Sequence, residues 1–196
     1  KTGLSRKERA SILVHHYTLL SNRANEQFVR TIIDGRVELW QQIVGDRTYR
    51  IFLTFPHTTH SEGDLALVFR ADATDIYTLH FSFGPGTIAS LRDTNVMYIA
   101  RVQGKGGALD RIRNATKDCL DISPPALLLA AAEGIATELK LANMIGISAK
   151  TQLSADRVPL GRLVSAYDEF WIAVGGRRLE GDMYHLTVPL PEKPLG

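Results

Sequence analysis

The spacing of apolar residues divides the chain into a helical start, a series of short strands, and a second half in which helices and strands alternate. From Ser5 to about Ile33, apolar residues recur at helical spacing, which predicts one or two amphipathic helices. Short runs rich in β-branched and aromatic residues follow, separated by turn residues, and predict an antiparallel meander. Its strands are Val37–Val44, Tyr49–Phe55, Asp64–Arg70, Asp75–Phe83 and Val96–Val102.

The strand predicted at Asp75–Phe83 shows the clearest alternation of apolar and polar side chains. Successive side chains of a strand point to opposite faces of the sheet. One face should therefore carry Tyr77, Leu79, Phe81 and Phe83, and the other Ile76, Thr78, His80 and Ser82.

After Val102 the pattern becomes helical and then alternates. A first helix is predicted at Ala108–Leu120, and a second at about Pro125–Leu141, with Ser123 as its N-cap and proline in its first turn. A strand, a polar loop, a helix and a last strand follow, at Asn143–Ser148, Lys150–Val158, Arg162–Gly175 and Met183–Val188. The strand–helix–strand crossover predicts a parallel pair of strands at the centre of an α+β sheet.

These elements predict a single domain over residues 1–196, with a helical N-terminal extension (1–35) and a mixed-sheet core (36–196). The composition, 44% hydrophobic and 22% charged, is typical of a globular protein. No apolar run approaches the length of roughly 18 residues that a membrane span needs. The single cysteine, Cys119, excludes an internal disulfide and a cysteine-based zinc site, and a reducing, cytoplasmic location is expected.

A glycine-rich turn joins the fifth predicted strand to the first helix of the crossover. Its sequence is Arg101-Val-Gln-Gly104-Lys-Gly106-Gly107-Ala108. Glycine lets the backbone approach a ligand closely, and the amides at the start of a helix attract phosphate. The net charge of the chain is only +2, but residues 101–117 have a local excess of four positive charges. This excess suits an anionic ligand, and a solvated helix face explains it equally well.

The turn resembles the pyrophosphate loop of the GNAT acyltransferase superfamily, Gln/Arg-x-x-Gly-x-Gly/Ala, and the order of elements is similar to that of a GNAT fold. The resemblance implies a GNAT-like mixed central sheet, in which the loop after the fourth core strand binds the pyrophosphate of an acyl donor. The residues that it assigns to the donor are Arg101, Gln103, Gly104, Lys105, Gly106, Gly107 and Ala108.

The identity of the donor has two alternatives. The crossover is longer than in most GNAT enzymes and is broken at Pro124-Pro125, which departs from the pattern of enzymes that use acyl-CoA. Some GNAT-fold enzymes instead take an aminoacyl group from a charged tRNA, and the basic helix residues Arg111, Arg113 and Lys117 would suit that nucleic acid. Acyl-CoA or aminoacyl-tRNA would act as a co-substrate, and no tightly bound cofactor is expected.

Several phrases are similar to the VirK/YbjX family of bacterial proteins, over about residues 5 to 190. They are Phe52-Leu-Thr-Phe55, Leu79-His-Phe-Ser-Phe83, Val102-Gln-Gly104, Pro124-Pro-Ala-Leu-Leu128, Ile145-Gly-Ile-Ser148 and Tyr167-Asp-Glu-Phe-Trp171. The resemblance implies a link to virulence and to resistance against antimicrobial peptides, without a settled chemistry. It is compatible with a GNAT-like fold.

Acyl transfer requires an activated acceptor and a proton for the leaving group. By the GNAT resemblance Tyr167 protonates the leaving group, and packing in the core is an equal alternative for this residue. His80 is the candidate base because histidine titrates near neutral pH, although most histidines on strands are surface or core residues. Ser148 could hydrogen-bond a leaving group or an acceptor. Of Asp168 and Glu169, at most one faces the same cleft.

The histidines also raise the question of a metal site. His15 and His16 are neighbours on a predicted helix and point about 100° apart, so they cannot bind one ion together. His57 and His60, with Glu62, could do so from a loop, but no further cluster of ligands accompanies them. No metal site is expected.

The leading hypothesis is a GNAT-like transferase that moves an acyl or aminoacyl group to an amine or hydroxyl of a small molecule. The second is a non-catalytic VirK-like protein that binds a partner or peptide in envelope stress. A deep cleft lined by His80, Tyr167 and Ser148 would favour the enzyme, and a filled core with an exposed apolar patch would favour the binding protein. A tRNA-using transferase would need a positive surface that extends beyond the turn.

Overall fold

A computed structural model describes residues 4–56, 62–151 and 167–191 of the chain. Within these residues one sheet contains eight strands: β1 (Val37–Val44), β2 (Arg47–Thr54), β3 (Leu65–Ala71), β4 (Thr74–Gly84), β5 (Val96–Gly104), β6 (Asn143–Ile147), β7 (Arg177–Leu179) and β8 (Met183–Thr187). Their order across the sheet is β1-β2-β3-β4-β5-β6-β8-β7.

The sheet is mostly antiparallel. β1 to β5 form the predicted meander, β6 lies parallel to β5, and β8 is antiparallel to both β6 and β7. The predicted α+β architecture with a parallel pair at its centre is therefore confirmed. β7 was not predicted, because a strand of three residues leaves little periodic signal.

The helices within the described residues are α1 (Arg6–Arg23), α2 (Glu26–Asp34), α3 (Leu109–Asp118), α4 (Pro124–Glu138) and α5 (Glu169–Ala173). Both N-terminal helices begin at side-chain caps. The Ser5 hydroxyl accepts from the Glu8 amide while the Glu8 carboxylate accepts from the Ser5 amide, and Asn25 caps α2 through the Phe28 amide. Ser123 occupies the predicted N-cap position of α4, but its side chain makes no capping hydrogen bond.

Both crossover helices are shorter than predicted. α3 ends at Asp118 rather than Leu120, because Leu120 and Asp121 have φ angles of 57° and 60°. This left-handed conformation cannot continue a right-handed helix. α4 likewise stops short of Leu141, before Lys140, whose φ is 56°.

Part of the predicted C-terminal region lies outside the described residues. This applies to the start of the helix predicted at Arg162–Gly175 and to most of the loop predicted at Lys150–Val158. In the described part, a π-helical turn at 167–168 leads into α5, which ends at Ala173. None of the described helices has both the length and the hydropathy of a membrane span.

A hydrophobic core lies on each face of the sheet. The larger core, between the sheet and the α3–α4 crossover, includes Phe69, Phe81 and Trp171, which have no exposed surface. The smaller core joins Ile12 of α1 to Tyr98 and Ile145 on the opposite face. The carboxyl end of α1 packs in the larger core, so this helix contacts the cores on both faces of the sheet.

Two β-bulges interrupt the regular pairing on either side of β4. In β4 the extra residue is Ile76, and in β5 it is Ala100. A bulge adds one residue to a strand and so reverses the alternation of faces beyond it. Ile76 is consequently buried in the larger core with Leu79, and the prediction that it shares a face with His80 is wrong.

The second bulge also ends the parallel pairing at the centre of the sheet. β5 pairs with β6 only over Met97–Ile99, immediately before Ala100. β5 then continues along β4 as far as Gly104, whereas β6 ends at Ile147. The two parallel strands are therefore unpaired beyond Ile99 and Gly146, and the region between their carboxyl ends, called the gap below, positions the candidate site.

Candidate functional site

The candidate site lies where β5 and β6 diverge. Its walls are the end of β5 from Arg101, the segment after β6 at Ser148 and Ala149, and the turn at Tyr167 and Asp168. In sheets with parallel strands, ligands commonly bind outside the carboxyl ends of strands that separate. The sequence predicted a cleft at this edge of the sheet, and the side chains of Tyr167, Asp168 and Ser148 are buried there.

Tyr167 reaches from the turn before α5 to the far wall of the gap. Its side chain is buried, and its hydroxyl has a hydrogen bond from the backbone of Val102 in β5. Burial raises the pKa of Tyr167 to about 12, and the Glu62 carboxylate raises it while Arg101 lowers it. The phenol is therefore protonated at neutral pH. Packing and a role in chemistry are both compatible with this position.

Asp168 and Ser148 form the wall on the β6 side. Asp168 is buried, and its carboxylate accepts a hydrogen bond of 2.9 Å from the Ala149 amide. Ser148 is fully buried, and its amide donates to the carbonyl of Asp182. Asp168 thus holds the chain that leaves β6, which is a positioning role.

Trp171, about one helical turn after Asp168, also holds the wall on the β6 side. Its indole nitrogen donates to the Ile147 carbonyl at 3.0 Å, and its ring lies directly over Gly146. A side chain at Gly146 would overlap the indole, so this glycine is required by the close approach of the ring. The phrases Ile145–Ser148 and Tyr167–Trp171, which the sequence singled out separately, therefore form one contact.

His80 lies on β4 opposite Arg101, on the face away from the larger core. It is buried, and its Nδ1 atom has no hydrogen-bond partner among the described residues. Burial, and secondarily Arg101, lowers the pKa of His80 to about 4. The prediction of a histidine that titrates near neutral pH is therefore wrong for this environment. The imidazole is neutral at pH 7 and is a weak base.

The chain before β3 crosses β4 next to His80. Gly63 has a φ of 130°, and a Cβ there would be 2.8 Å from the Phe81 amide nitrogen. The Ser82 hydroxyl donates to the Asp64 carboxylate at 2.5 Å and accepts from the Asp64 amide. The sequence did not reveal this crossing, because its partners are separated by eighteen positions.

Part of the glycine-rich turn belongs to the framework of the sheet. Gly104 is the last residue of β5 and pairs with Tyr77 of β4. The Lys105 amide donates to a β4 carbonyl at 2.9 Å, and the Ala108 amide donates to the Lys105 carbonyl at 3.2 Å. The amides of Lys105 and Ala108 therefore already have hydrogen-bond partners. Fewer amides of residues 104–108 are free to bind a donor than the sequence predicted.

Gly106 and Gly107 form the part of the turn that faces solvent. A Cβ at either residue would meet no atom within 4 Å, and Gly107 has a φ of 76°. α3 follows directly, and no side chain caps its first amides. These amides and the positive end of the helix dipole are open to an anion. Arg101 and Gln103, which precede the turn, are joined by a hydrogen bond from the Arg101 guanidinium.

The predicted nucleic-acid residues lie on the surface of α3. Arg111, Arg113 and Lys117 are exposed, and Arg113 has a solvent-exposed ion pair with Asp110 at 3.6 Å. Lys117 is in the last turn of the helix, at the end away from the glycine-rich turn. The basic helix therefore extends the positive surface beyond the turn on this side.

A second basic cluster was not predicted. Arg36 forms two hydrogen bonds of 3.0 Å with the Asp75 carboxylate, Arg70 forms one of 2.6 Å, and the Lys105 ammonium lies 3.8 Å away. Burial acts to raise the pKa of Asp75, but the two arginines hold it below its usual value. The Phe52 ring lies beneath both guanidinium groups. These residues come from four distant parts of the chain.

Among the described residues no group of three or more histidine, cysteine, aspartate or glutamate side chains is arranged to bind a metal. His57 and His60 lie outside the described residues. His15 bonds to Asn95 at 2.7 Å, and His16 is buried and accepts from the Phe83 amide.

The whole chain, residues 1–196, matches the profile of a family described as a protein of unknown function (DUF535), and the chain belongs to this family. It is also similar to an uncharacterized protein of Escherichia coli (strain K12), YbjX, with 27% identity over 200 residues. The resemblance to the VirK/YbjX family is thus confirmed. The alignment covers 98% of this chain and 59% of YbjX, so the chain spans about three-fifths of that relative. No solved structure matches the chain.

Proposed function

We propose that the protein is a GNAT-like transferase that moves an acyl or aminoacyl group from acyl-CoA or aminoacyl-tRNA to an amine or hydroxyl of a small molecule. The observation that carries the proposal is the separation of the parallel strands β5 and β6 at the bulge of Ala100, beside a glycine turn that leads into α3. The strand order β1-β2-β3-β4-β5-β6-β8-β7 supports it, because β5 would be the fourth core strand, directly before the proposed donor loop, if β1 is an additional edge strand.

The donor phosphates would bind at the turn between β5 and α3. Gly106 and Gly107 leave their amides accessible, and the dipole of α3 favours negative charge at its amino end. Lys105 and Arg101 add positive charge on either side. The rest of the donor would extend along the gap, which would bring its acyl carbon toward Tyr167.

Tyr167 would supply the proton for the leaving group. The Val102 backbone donates to its hydroxyl oxygen, so the phenolic proton is available to another acceptor. A thiol has a pKa of about 8.5, so transfer from a phenol with a pKa of about 12 to a thiolate is uphill by about 5 kcal/mol. An alkoxide is a stronger base than a thiolate, so it would take the proton of Tyr167 more readily. Both donors, acyl-CoA and aminoacyl-tRNA, stay open in this proposal.

His80 lies on the face of the sheet away from the core that includes Tyr167, so it would act only on an acceptor that enters from that face, as a hydrogen-bond acceptor rather than as a strong base. With a pKa of about 4 it remains neutral, and its unpartnered buried nitrogen can orient an amine or hydroxyl. Asp168 and Ser148 would keep the β6 wall in place, since Asp168 holds the Ala149 amide. Attack by the acceptor forms a bond from its nitrogen or oxygen to the acyl carbon and breaks the donor's ester or thioester bond. The leaving group takes the proton of Tyr167, and the proton that the acceptor loses restores the phenol.

A thermal-shift experiment with acyl-CoA, free CoA and charged tRNA tests the donor. A true donor raises the melting temperature in proportion to the logarithm of its concentration over its dissociation constant. Gly106→Val should abolish this shift by covering the open amides, while Gly106→Ala should reduce it less; a Cβ at this position meets no atom within 4 Å. The proposal is overturned if no donor stabilises the protein, or if Gly106→Val leaves the shift unchanged.

A second candidate function is partner binding without catalysis, and one observation favours it. On α1, Leu13, Val14 and Tyr17 are exposed to 47%, 68% and 45%. Neighbouring exposed apolar side chains mark interaction surfaces more often than isolated ones. Replacing Val14 with Glu should weaken such an interaction and leave donor stabilisation intact, which separates the two functions.

A further inference from the structure

A large apolar cavity lies on the face of the sheet away from His80. It is bounded by the end of α1, by α2, by the strands β1 to β4 and by α4, and its volume is about 680 Å³. Its floor includes Leu53, Leu65, Phe81 and Phe83, each at most 4% exposed. The cavity therefore reaches from the surface into the larger core.

The size of this cavity is not explained by imperfect packing. Protein interiors are packed as densely as organic crystals and contain few voids larger than one water molecule. Sites for small molecules have volumes of roughly 300–1,000 Å³ and are lined mainly by apolar side chains. An apolar cavity does not hold ordered water well, because it offers no hydrogen-bond partners, but it does bind apolar molecules.

The wall formed by α4 has small side chains where larger ones would fit. Ala130, Ala131 and Gly134 line the cavity. A glycine inside a helix costs about 1 kcal/mol relative to alanine. Gly134 is not in the left-handed region, and a Cβ there would meet no atom within 4 Å, so neither backbone conformation nor packing requires glycine. What the glycine preserves is the open space of the cavity.

Polar groups are confined to the mouth. Arg23, Asn25 and Glu138 are exposed at its rim, next to Phe28 and Leu39, which are 37% and 40% exposed. The side chain of Asn25 caps α2, and neither Arg23 nor Glu138 has an ion pair within the described residues. A polar rim above an apolar floor matches a molecule that has a polar head and a hydrocarbon tail.

We propose that this cavity binds the alkyl chain of a single-chain amphiphile, either a fatty acid or an acyl chain attached to a larger head group, with the head at the rim beside Arg23. Each buried methylene contributes about 0.8 kcal/mol, so affinity should rise steeply with chain length. The inference does not depend on acyl transfer, since the cavity and the gap between β5 and β6 are different parts of the molecule.

Fluorescence titration with cis-parinaric acid, followed by displacement, tests the proposal. We expect saturable binding with one site per chain and displacement by palmitate at concentrations at least tenfold lower than by octanoate. Displacement by lysophosphatidylcholine as well would indicate that a larger head group is accepted, and displacement by palmitate alone would indicate a free fatty acid. Absence of saturable binding overturns the proposal.

Two substitutions of one residue locate the binding site. Gly134→Trp should fill the cavity and weaken probe binding at least tenfold, and Gly134→Ala should retain binding within about twofold. Both should melt at or above the wild-type temperature, because both improve helix propensity. If Gly134→Trp does not fold, Ala130→Trp on the same wall replaces it. Unchanged binding by a folded tryptophan variant would exclude this cavity as the site.

Discussion

At the scale of single residues, Tyr167 carries the sharpest prediction. Tyr167→Phe preserves the ring and its packing but removes the phenolic proton. A general acid contributes about 10²–10⁴-fold to a rate, so transfer from a donor found in the thermal-shift screen should fall by at least about 100-fold. Stability should fall by only about 1 kcal/mol, for one lost hydrogen bond.

Tyr49→Phe is the matched control for this measurement. Burial also raises the pKa of Tyr49 to about 12, but its hydroxyl donates to the Asp118 carboxylate, away from the ends of β5 and β6. It should retain most of the wild-type rate. Equal losses in the two variants, or a Tyr167→Phe variant with a normal rate, would show that Tyr167 serves packing alone.

His80 should make the free energy of unfolding depend on pH between about 4 and 6.5. Burial lowers the pKa of its imidazole from the usual 6.5 to about 4, so the unfolded chain binds more protons than the folded protein between these values. The free energy of unfolding should therefore fall as the pH falls from 6.5 to 4, by roughly 3 kcal/mol from this residue. His16, whose pKa is also lowered, contributes in the same direction.

Urea denaturation of wild type and His80→Gln at several pH values measures this contribution. The variant should show a shallower loss of stability between pH 6.5 and 4, whatever the constant cost of the substitution. Parallel curves for the two proteins would mean that His80 titrates normally in the folded state.

The predictability of the site differed from residue to residue. The glycine turn and the phrase around Tyr167 could be found from the sequence, because local pattern and a family resemblance mark them. The pKa of His80 could not, since it arises from burial and from Arg101 on a neighbouring strand. The cluster around Asp75 was missed for the same reason: its four charged residues meet only after β1, β3, β4 and β5 have aligned.

At the scale of elements, two glycines should respond oppositely to alanine. In Gly63→Ala the new Cβ would be 2.8 Å from a β4 amide nitrogen at a φ of 130°, which should destabilise the fold by about 1–3 kcal/mol or more. Gly134→Ala, in the middle of α4, should stabilise it by up to about 1 kcal/mol.

Thermal denaturation of the two variants checks this contrast. The order of melting temperatures should be Gly134→Ala above wild type, and Gly63→Ala below it. A neutral Gly63→Ala variant would mean that the segment before β3 can move away from β4 at little cost.

The strands were predictable where periodicity was regular, and β1 has the predicted bounds. The bulges at Ile76 and Ala100 were not predictable, because each exists only as a mismatch between two strands. The consequence is considerable, since the bulge of Ala100 ends the pairing of β5 with β6. The ends of α3 and α4 were predicted too late, because the left-handed residues that follow them are Leu120, Asp121 and Lys140. Glycine, the usual signal for a left-handed position, is absent there.

At the scale of the whole molecule, the cluster around Asp75 joins the segment before β1 to β3, β4 and the turn after β5. Only 12% of the Asp75 side chain is exposed, and three cations surround it. Asp75→Ala leaves Arg36, Arg70 and Lys105 facing one another without a counter-charge. We expect a loss of about 1–3 kcal/mol in the free energy of unfolding.

Salt distinguishes repulsion from the loss of hydrogen bonds in this variant. At an ionic strength of 1 M the Debye length is about 3 Å, against about 30 Å at 0.01 M, so added salt screens the cations from one another. The destabilisation measured by urea denaturation should therefore shrink at high salt. Asp110→Ala removes an ion pair whose side chains are 93% and 70% exposed, and it should change stability little at any salt concentration. If both variants behave alike, the cluster does not tie the edge of the sheet to the glycine turn.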